Sequence, residues 1–201
     1  PFAMYHVDPD HKEREFLTLD ELTAMTEIKL EDPNMAFARD LFVFGCWTGI
    51  SFIDTKNLTE DKISMINGAP WIVSKRQKTG VPFQVKLMDI PMRIVERYKP
   101  LRKDCHLFNI GRLDTINKRI KKVAAMCGIK MRISYHVSRH TFAVLSLEYG
   151  MPIETVSKIL GHTNITTTQI YAKVTSSKLE HDISVFESRI KGHLPTMGGM
   201  A

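Results

Sequence analysis

The densest run of chemistry-bearing side chains is SYHVSRHTFA, residues 134–143. On a helix His136, Arg139 and His140 stand three and four apart, so their side chains converge on one side. A guanidinium among imidazoles suits phosphate oxygens and repels a metal cation. H-x-x-R-H also lacks the carboxylates or thiolates that a metal site would add at matching spacing, so no metal is expected. The bland alternative is a solvated helix start whose histidines cap or pack. A second cation group, Lys75, Arg76 and Lys78, surrounds the turn-prone QKTG. A short turn there can insert one ammonium into a groove, although most such lysines are only solvated turn residues. A third stretch, LGHTNITTTQIYAKV, ends one helix at Gly161, puts His162 at a junction and sets Tyr171 on the next helix. Taken singly, Tyr171 reads as a packed aromatic. A phenol of ordinary acidity, pKa about 10, is a poor nucleophile at neutral pH and would need nearby cations to attack phosphorus.

The elements that must position these residues are legible in outline. Thr18-x-x-Glu21 forms a capping box at the start of a short helix running to about Lys29. Asp32 caps the next helix with Pro33 at its first position, and the run MAFARDLFVFGCW is apolar almost all round, so this helix should be central and end at Gly49. WIVSK and PFQVKL flank QKTG as a strand pair, with a third strand expected before Gly68. Pro91 opens and Pro100 closes a further helix. TINKRIKKVAAMC then carries Ile116, Ile120, Val123, Ala124 and Cys127 on one face and a basic solvent face opposite, ending at Gly128. Helices over Val137–Tyr149 and Pro152–Leu160 follow, then a last pair spanning Ile165–Ile190. The order, helices, a small antiparallel meander, then helices, predicts a mostly α fold with a small antiparallel β-sheet (α+β).

At 201 residues with a net charge of +6, the chain suits one domain and favours a polyanionic partner. Residues 16–191 form the expected domain. Residues 1–15 read as a linker from a missing N-terminal DNA-binding region, since the chain opens on Pro1 rather than methionine, and 192–201 as a flexible C-terminal tail. Cys46, Cys105 and Cys127 are odd in number and widely spaced, which argues for a reducing compartment and against a disulfide framework. No run approaches the ~20 apolar residues of a membrane span. A soluble protein of the bacterial cytoplasm is expected.

Lys78, H-x-x-R-H at 136–140, G-H at 161–162 and Tyr171 stand in an order and spacing that resemble the catalytic domain of the tyrosine recombinases, the integrases of phages and conjugative elements. The resemblance runs from about Phe16 to Ile190. Its C-terminal half is the most specific, because HVSRHTFAVLSLEYGMPIETVSKILGHTNITTTQIYAKV is similar to the family's H-x-x-R-H-T-F-A, L-G-H and Y-A motifs without a break. The resemblance implies the tyrosine recombinase catalytic fold and strand exchange needing no metal, ATP or other cofactor. It implies that Tyr171 attacks a DNA phosphate and forms a 3′-phosphotyrosyl bond, while Arg139 holds the non-bridging oxygens. His136 and His162 would donate hydrogen bonds or move protons, and Lys78 would protonate the leaving 5′ oxygen. His140 is expected to support the helix side. The implied partners are double-stranded DNA and three further copies of the chain in a tetramer on DNA, weak or monomeric without it, with a C-terminal segment after about Thr175 passed to a neighbour. Accessory DNA-bending proteins are a further implied partner. Lys75, Arg76, Lys118 and Lys122 are the expected backbone contacts, giving salt-sensitive and sequence-blind affinity.

One departure qualifies the resemblance. The family pattern T-G-L-R-x-x-E reads TGISFID here, with Ser51 where an arginine is expected and Asp54 matching the acidic residue. A lost charge-assisted bidentate contact is worth roughly 1.5–3 kcal/mol. Arg39, the one cation of the apolar helix leading to this motif, is the first candidate to replace it, with Arg76 and Lys56 behind. Three functions therefore compete: a site-specific recombinase of a mobile element, a DNA-relaxing enzyme like the type IB topoisomerases, and a catalytically weakened DNA-binding accessory protein. Ser51 alone supports the last.

Overall fold

The computed structural model describes residues 15–172 and 176–191. The expected linker and tail fall almost wholly outside these residues. The described chain runs α1 (Leu19–Glu27), α2 (Pro33–Thr48), α3 (Phe52–Lys56), β1 (Ile63–Ile66), β2 (Ala69–Lys75), β3 (Pro82–Lys86), α4 (Asp89–Tyr98), α5 (Leu113–Met126), α6 (Tyr135–Glu148), α7 (Ile153–Leu160), α8 (Thr166–Gln169) and α9 (Ser176–Ile190). It is the mostly helical fold with a small antiparallel sheet that the pattern predicts.

Local chemistry explains most of the boundaries. Thr18 Oγ1 accepts from the Glu21 amide at 3.2 Å while the Glu21 carboxylate accepts from the Thr18 amide at 2.9 Å, closing both halves of the capping box on α1. Asp32 accepts from the Asn34 amide to start α2, and Gly49, at φ 68°, ends it in the left-handed region. Helix α2 is buried almost without interruption from Ala38 to Thr48, as a helix apolar on all sides must be, and it packs against α1, α4, α5 and α6. The closest approach is to α6: a Cβ on Gly45 would lie 2.3 Å from Ser138 Oγ. Helix α5 buries Ile116, Ile120, Val123 and Ala124 and leaves Lys118, Lys121 and Lys122 in solvent.

The sheet order is β1-β2-β3, with Ile63 opposite Ile72 and Lys75 opposite Pro82. Ile72, Phe83 and Val85 point into the core, and β3 packs against α7, so the β2–β3 hairpin is docked beside the C-terminus of that helix. Phe142, Leu147, Val156, Leu160 and Tyr171 form a second, smaller apolar cluster between α6, α7 and the segment after α8.

Three boundaries differ from expectation. Helix α4 begins at Asp89, before Pro91, and α6 begins at Tyr135, before Val137. Neither has a side-chain cap of its own; the Tyr135 amide instead donates to Asn117 Oδ1 on α5 at 2.8 Å. Tyr171 is not on a helix. Helix α8 is four residues long, and Tyr171 follows it in a tight turn, its amide donating to the Thr168 carbonyl at 3.0 Å.

Gly49 is the sharpest backbone constraint, because a Cβ there would sit 2.5 Å from Phe142 Cδ1 in a left-handed conformation. Gly49→Ala should cost about 2–5 kcal/mol, the sum of left-handed strain and overpacking. Urea denaturation should show a lowered midpoint with an unchanged slope.

Candidate active site

Arg139 is 5% exposed, and its guanidinium is held by two helix ends. Nη1 donates to the Gly49 carbonyl at 2.7 Å and Nη2 to the Leu160 carbonyl at 2.6 Å, at the C-termini of α2 and α7. Those carbonyls are at the negative ends of their helix dipoles, so they compensate a cation in place of water. Burial first, then the neighbouring Arg76, bring the Arg139 pKa down to about 9, and the group remains a cation at neutral pH.

The second guanidinium is Arg76. It follows β2, and its Nη1 lies 2.5 Å from Asp54 Oδ2. Asp54 is buried at 6% exposure and gathers three donors: Arg76, the Gln77 amide at 2.8 Å and the Ser51 hydroxyl at 2.5 Å. Ser51 is also the N-cap of α3, its Oγ accepting from the Asp54 amide at 3.5 Å. The middle of the Arg76 side chain runs across Gly161, where a Cβ would come within 2.8 Å of Arg76 Cγ. Arg76 and Arg139 thus meet at the C-terminal end of α7, close enough for Arg76 to lower the pKa of Arg139 and for both to lower that of His162.

The structure does not bring Arg39 to this place. Its Nη1 donates to the carbonyls of Met25, Thr26 and Ile28 at 2.8–3.1 Å, and its Nε pairs with Asp40 at 2.6 Å. Asp40 also accepts from Arg97 and from the Tyr98 hydroxyl, each at 2.7 Å. Arg39 therefore closes the α1–α2 turn and ties it to α4, ten residues or ~15 Å of helix from Gly49. Lys56 is half-buried at the last turn of α3, with no ion pair to the cluster among the described residues. Beside Ser51 lies a cavity of about 350 Å³ whose walls include Phe52, Asn117, Tyr135, His136 and Arg139.

Around the two arginines stand the remaining polar groups. His162 Nδ1 is 2.8 Å from the buried Thr168 hydroxyl, which fixes the ring from α8. The Tyr171 hydroxyl lies 2.7 Å from His140 Nδ1, and the His140 ring meets the His136 ring edge-on with centroids 4.3 Å apart. His136 is exposed. Tyr171 is close enough to Arg139 to affect its acidity. Tyr171 is both a packed aromatic and a hydrogen-bonded phenol, so the two readings of it are compatible.

Lys78 is exposed at the tip of the β2–β3 hairpin, two residues from the clamped Arg76, and Lys75 is exposed at the end of β2. Lys118 and Lys122 lie on the solvent face of α5, outside the cluster. Sequence reasoning assigned no role to Thr168 or Asn117, and gave His140 only a supporting one. The i, i+4 spacing of His136 and His140 was the visible signal for their stacking. Among the described residues, the group with metal-ligand geometry is Asp104, Cys105 and His106, in the loop between α4 and α5. Within it His106 Nδ1 is already 2.8 Å from Asp104.

The family model described as "Phage integrase family" matches residues 15–178. The tyrosine recombinase XerC of Serratia marcescens is 26% identical over 179 residues, covering 86% of this chain and 58% of that protein. XerA of Saccharolobus solfataricus is 33% identical over 109 residues, covering 54% of this chain and 36% of that protein. The chain therefore spans less than two-thirds of the length of these relatives. Among solved structures, the XerH site-specific recombinase bound to its difH substrate in a pre-cleavage complex matches with a TM-score of 0.71 at 21% identity. That match covers 88% of this chain and 55% of the other, and it shows a common fold.

His162 gives a direct test of the cluster's electrostatics. Burial, then Arg139, then Arg76 push its pKa down to about 4, so its ring is neutral at physiological pH. An unfolded histidine titrates near 6.5. The neutral ring's contribution to stability is present above about pH 6.5 and is lost as pH falls through about 4. A ring-nitrogen NMR titration should place the midpoint near 4 in the parent and higher, but below 6.5, in Arg139→Gln. A parent midpoint of about 6.5 would contradict the arrangement.

Proposed function

The chain belongs to the phage integrase family, and on that premise we propose that it is the catalytic part of a site-specific DNA recombinase of a mobile element, with Tyr171 as its nucleophile. The observation that carries this reading is the meeting of two guanidiniums, the half-buried Arg76 and the buried Arg139, at the end of α7 beside His162 and Tyr171. Two fixed cations with few alternative acceptors are a receptor for one phosphodiester, and they stabilise charge as it grows on the non-bridging oxygens. Arg76 fills the role of the arginine that Ser51 replaces, reaching the site from the hairpin instead of from the end of a helix. Asp54 positions it.

The remaining roles follow from placement. Tyr171 attacks phosphorus and becomes joined to the 3′ side, which conserves the phosphodiester energy without metal or ATP. Neutral His162, oriented by Thr168, turns its other ring nitrogen to the phosphate. His136, exposed at the start of α6, supplies a further donor. Lys78 rides on the hairpin tip and protonates the 5′ oxygen. Lys75 and the basic face of α5, including Lys118 and Lys122, contact the duplex backbone. Four copies assemble on two DNA sites. Helix α9 exposes Ile183 and Phe186 at 49% and 60%, an apolar face that a neighbouring copy can cover. DNA-bending accessory proteins bring the sites together in such an assembly.

A nicked suicide duplex carrying the cognate site tests the reading, with the chain in its full-length context. A denaturation-resistant protein–DNA adduct should form and be absent in Tyr171→Phe. Arg76→Ala should slow adduct formation by about 100-fold or more while retaining DNA binding. Ser51→Arg should restore part of that loss, because the cavity beside Ser51 can take the longer side chain. Arg39→Ala should lower thermal stability and leave the cleavage rate of the folded protein near that of the parent. Parent-like cleavage by Arg76→Ala would remove it from the site. Failure of the parent to form adduct would favour an accessory DNA-binding role, and plasmid relaxation without site preference would favour a topoisomerase.

A further inference from the structure

Asp104, Cys105 and His106 stand in a row in the loop between α4 and α5, and none of them belongs to the arginine cluster. A carboxylate oxygen, a thiol sulphur and a ring nitrogen from the three fall within 4.8 Å of one another. Successive side chains of an extended chain point to opposite faces, so this convergence needs a bent backbone. The bend is held from outside the triad. The Cys105 carbonyl accepts from the Glu60 amide at 3.1 Å, the Leu107 amide donates to the Leu58 carbonyl at 2.8 Å, and His106 forms an isolated β-bridge with Thr59. Leu107 and Phe108 then anchor the loop in the core. Within the triad, Asp104 Oδ1 accepts from the His106 amide at 2.9 Å and lies 2.8 Å from His106 Nδ1. The nearby cation Arg102 is committed elsewhere, to Glu60 and to the carbonyls of Val95 and Leu107. An Asp–His pair closing a turn accounts for two of the three side chains. It leaves Cys105 exposed between them, although a free cysteine is among the residue types most often buried.

We propose that Asp104, Cys105 and His106 form a binding site for one divalent cation of the zinc class, outside the phosphate cluster. A thiolate and a carboxylate together cancel the charge of such an ion, and a neutral imidazole completes the set. Sulphur, nitrogen and oxygen donors suit zinc, whereas magnesium and calcium require oxygen alone. On binding, the S–H bond of Cys105 breaks, its proton passes to solvent and a sulphur–metal bond forms. The hydrogen bond between Asp104 and His106 gives way to coordination, and no electron changes hands. Because the backbone is pinned to residues 58–60, the three side chains are gathered before the ion arrives. Three protein ligands leave the fourth tetrahedral position to water, so the ion exchanges with solution, unlike the closed four-ligand sites that hold folds together. An ion seated there also masks the Cys105 thiol from alkylation and oxidation. The inference does not depend on the recombinase reading.

Cobalt(II) is the probe, because its visible bands report tetrahedral geometry and its near-ultraviolet charge-transfer band reports a sulphur ligand. Added to the reduced, metal-free, untagged full-length protein, it should produce both, and zinc should displace it and abolish them. Cys105→Ser should lose the sulphur band, and Cys127→Ser should keep it. In competition with a chromophoric chelator, His106→Ala and Asp104→Asn should each bind zinc about 10–100-fold more weakly than the parent. A second measurement needs no variant: zinc should slow alkylation of Cys105 by iodoacetamide, followed by peptide mass spectrometry, and magnesium should not. Cobalt bound without a sulphur band, a band that survives Cys105→Ser, or a Cys105 alkylated equally fast with and without zinc would each overturn the proposal. Parent-like zinc affinity in both His106→Ala and Asp104→Asn would do the same, since it would leave a single thiol as the ligand.

Discussion

A guanidinium can be buried only where fixed acceptors replace the water it gives up, and Arg139 is placed where two helices end. The Gly49 and Leu160 carbonyls have no further turn of helix to bond, so they face Arg139 as orphan acceptors with the dipoles of α2 and α7 behind them. Much of the molecule serves this one arrangement. Gly49 and Gly161 both turn left-handed so that α2 and α7 can stop at the right point. The close passage of α6 over Gly45 brings Arg139 to the gap between the two ends. The uniform burial of α2 holds its C-terminus still.

Asp54 plays the matching part for the other arginine. Its carboxylate joins the cap of α3, the backbone of the hairpin and the head of Arg76, three groups that lie up to twenty-six residues apart in the chain. Taking one of these donors away would leave a buried carboxylate undercompensated, so α3 and the hairpin root are coupled through it. Ser51 is therefore suited to its present neighbours: its small hydroxyl caps α3 and shares Asp54 Oδ2 with the Arg76 guanidinium.

What could be read beforehand was local. The capping box at Thr18, the Asp32-Pro33 start, the glycine stops at 49 and 161 and the alternation in the hairpin depend on neighbours a few residues away, and each stands where the pattern puts it. The start of α6 was misjudged because its first amide is satisfied from α5, by Asn117, a partner that no window along the chain includes. Arg39 was misjudged for the same reason. Its pairing with adjacent Asp40 was visible, but the three carbonyls that surround its guanidinium belong to the preceding turn and are set by how α1 folds back on α2. Tyr171 looked helical because threonines and glutamine precede it, yet α8 stops after four residues and the ring joins the small cluster on α6 and α7. Motif spacing indicated which residues belong together, and only tertiary packing could say which arginine joins them.

Gly161 illustrates how a cation reaching over from a hairpin alters what a backbone will tolerate. Its φ of 61° could be met by asparagine or aspartate, the residues that most readily accept a left-handed conformation. Here that freedom is closed, because any Cβ would meet the Arg76 stem while Asp54 holds its head. The glycine is thus doubly determined, once by the direction the chain takes and once by the side chain lying over it. A relative whose second arginine came from the end of α2 would face only the first of these demands. The identity of one residue in the L-G-H turn is thereby linked to the root of the hairpin, eighty-five positions earlier.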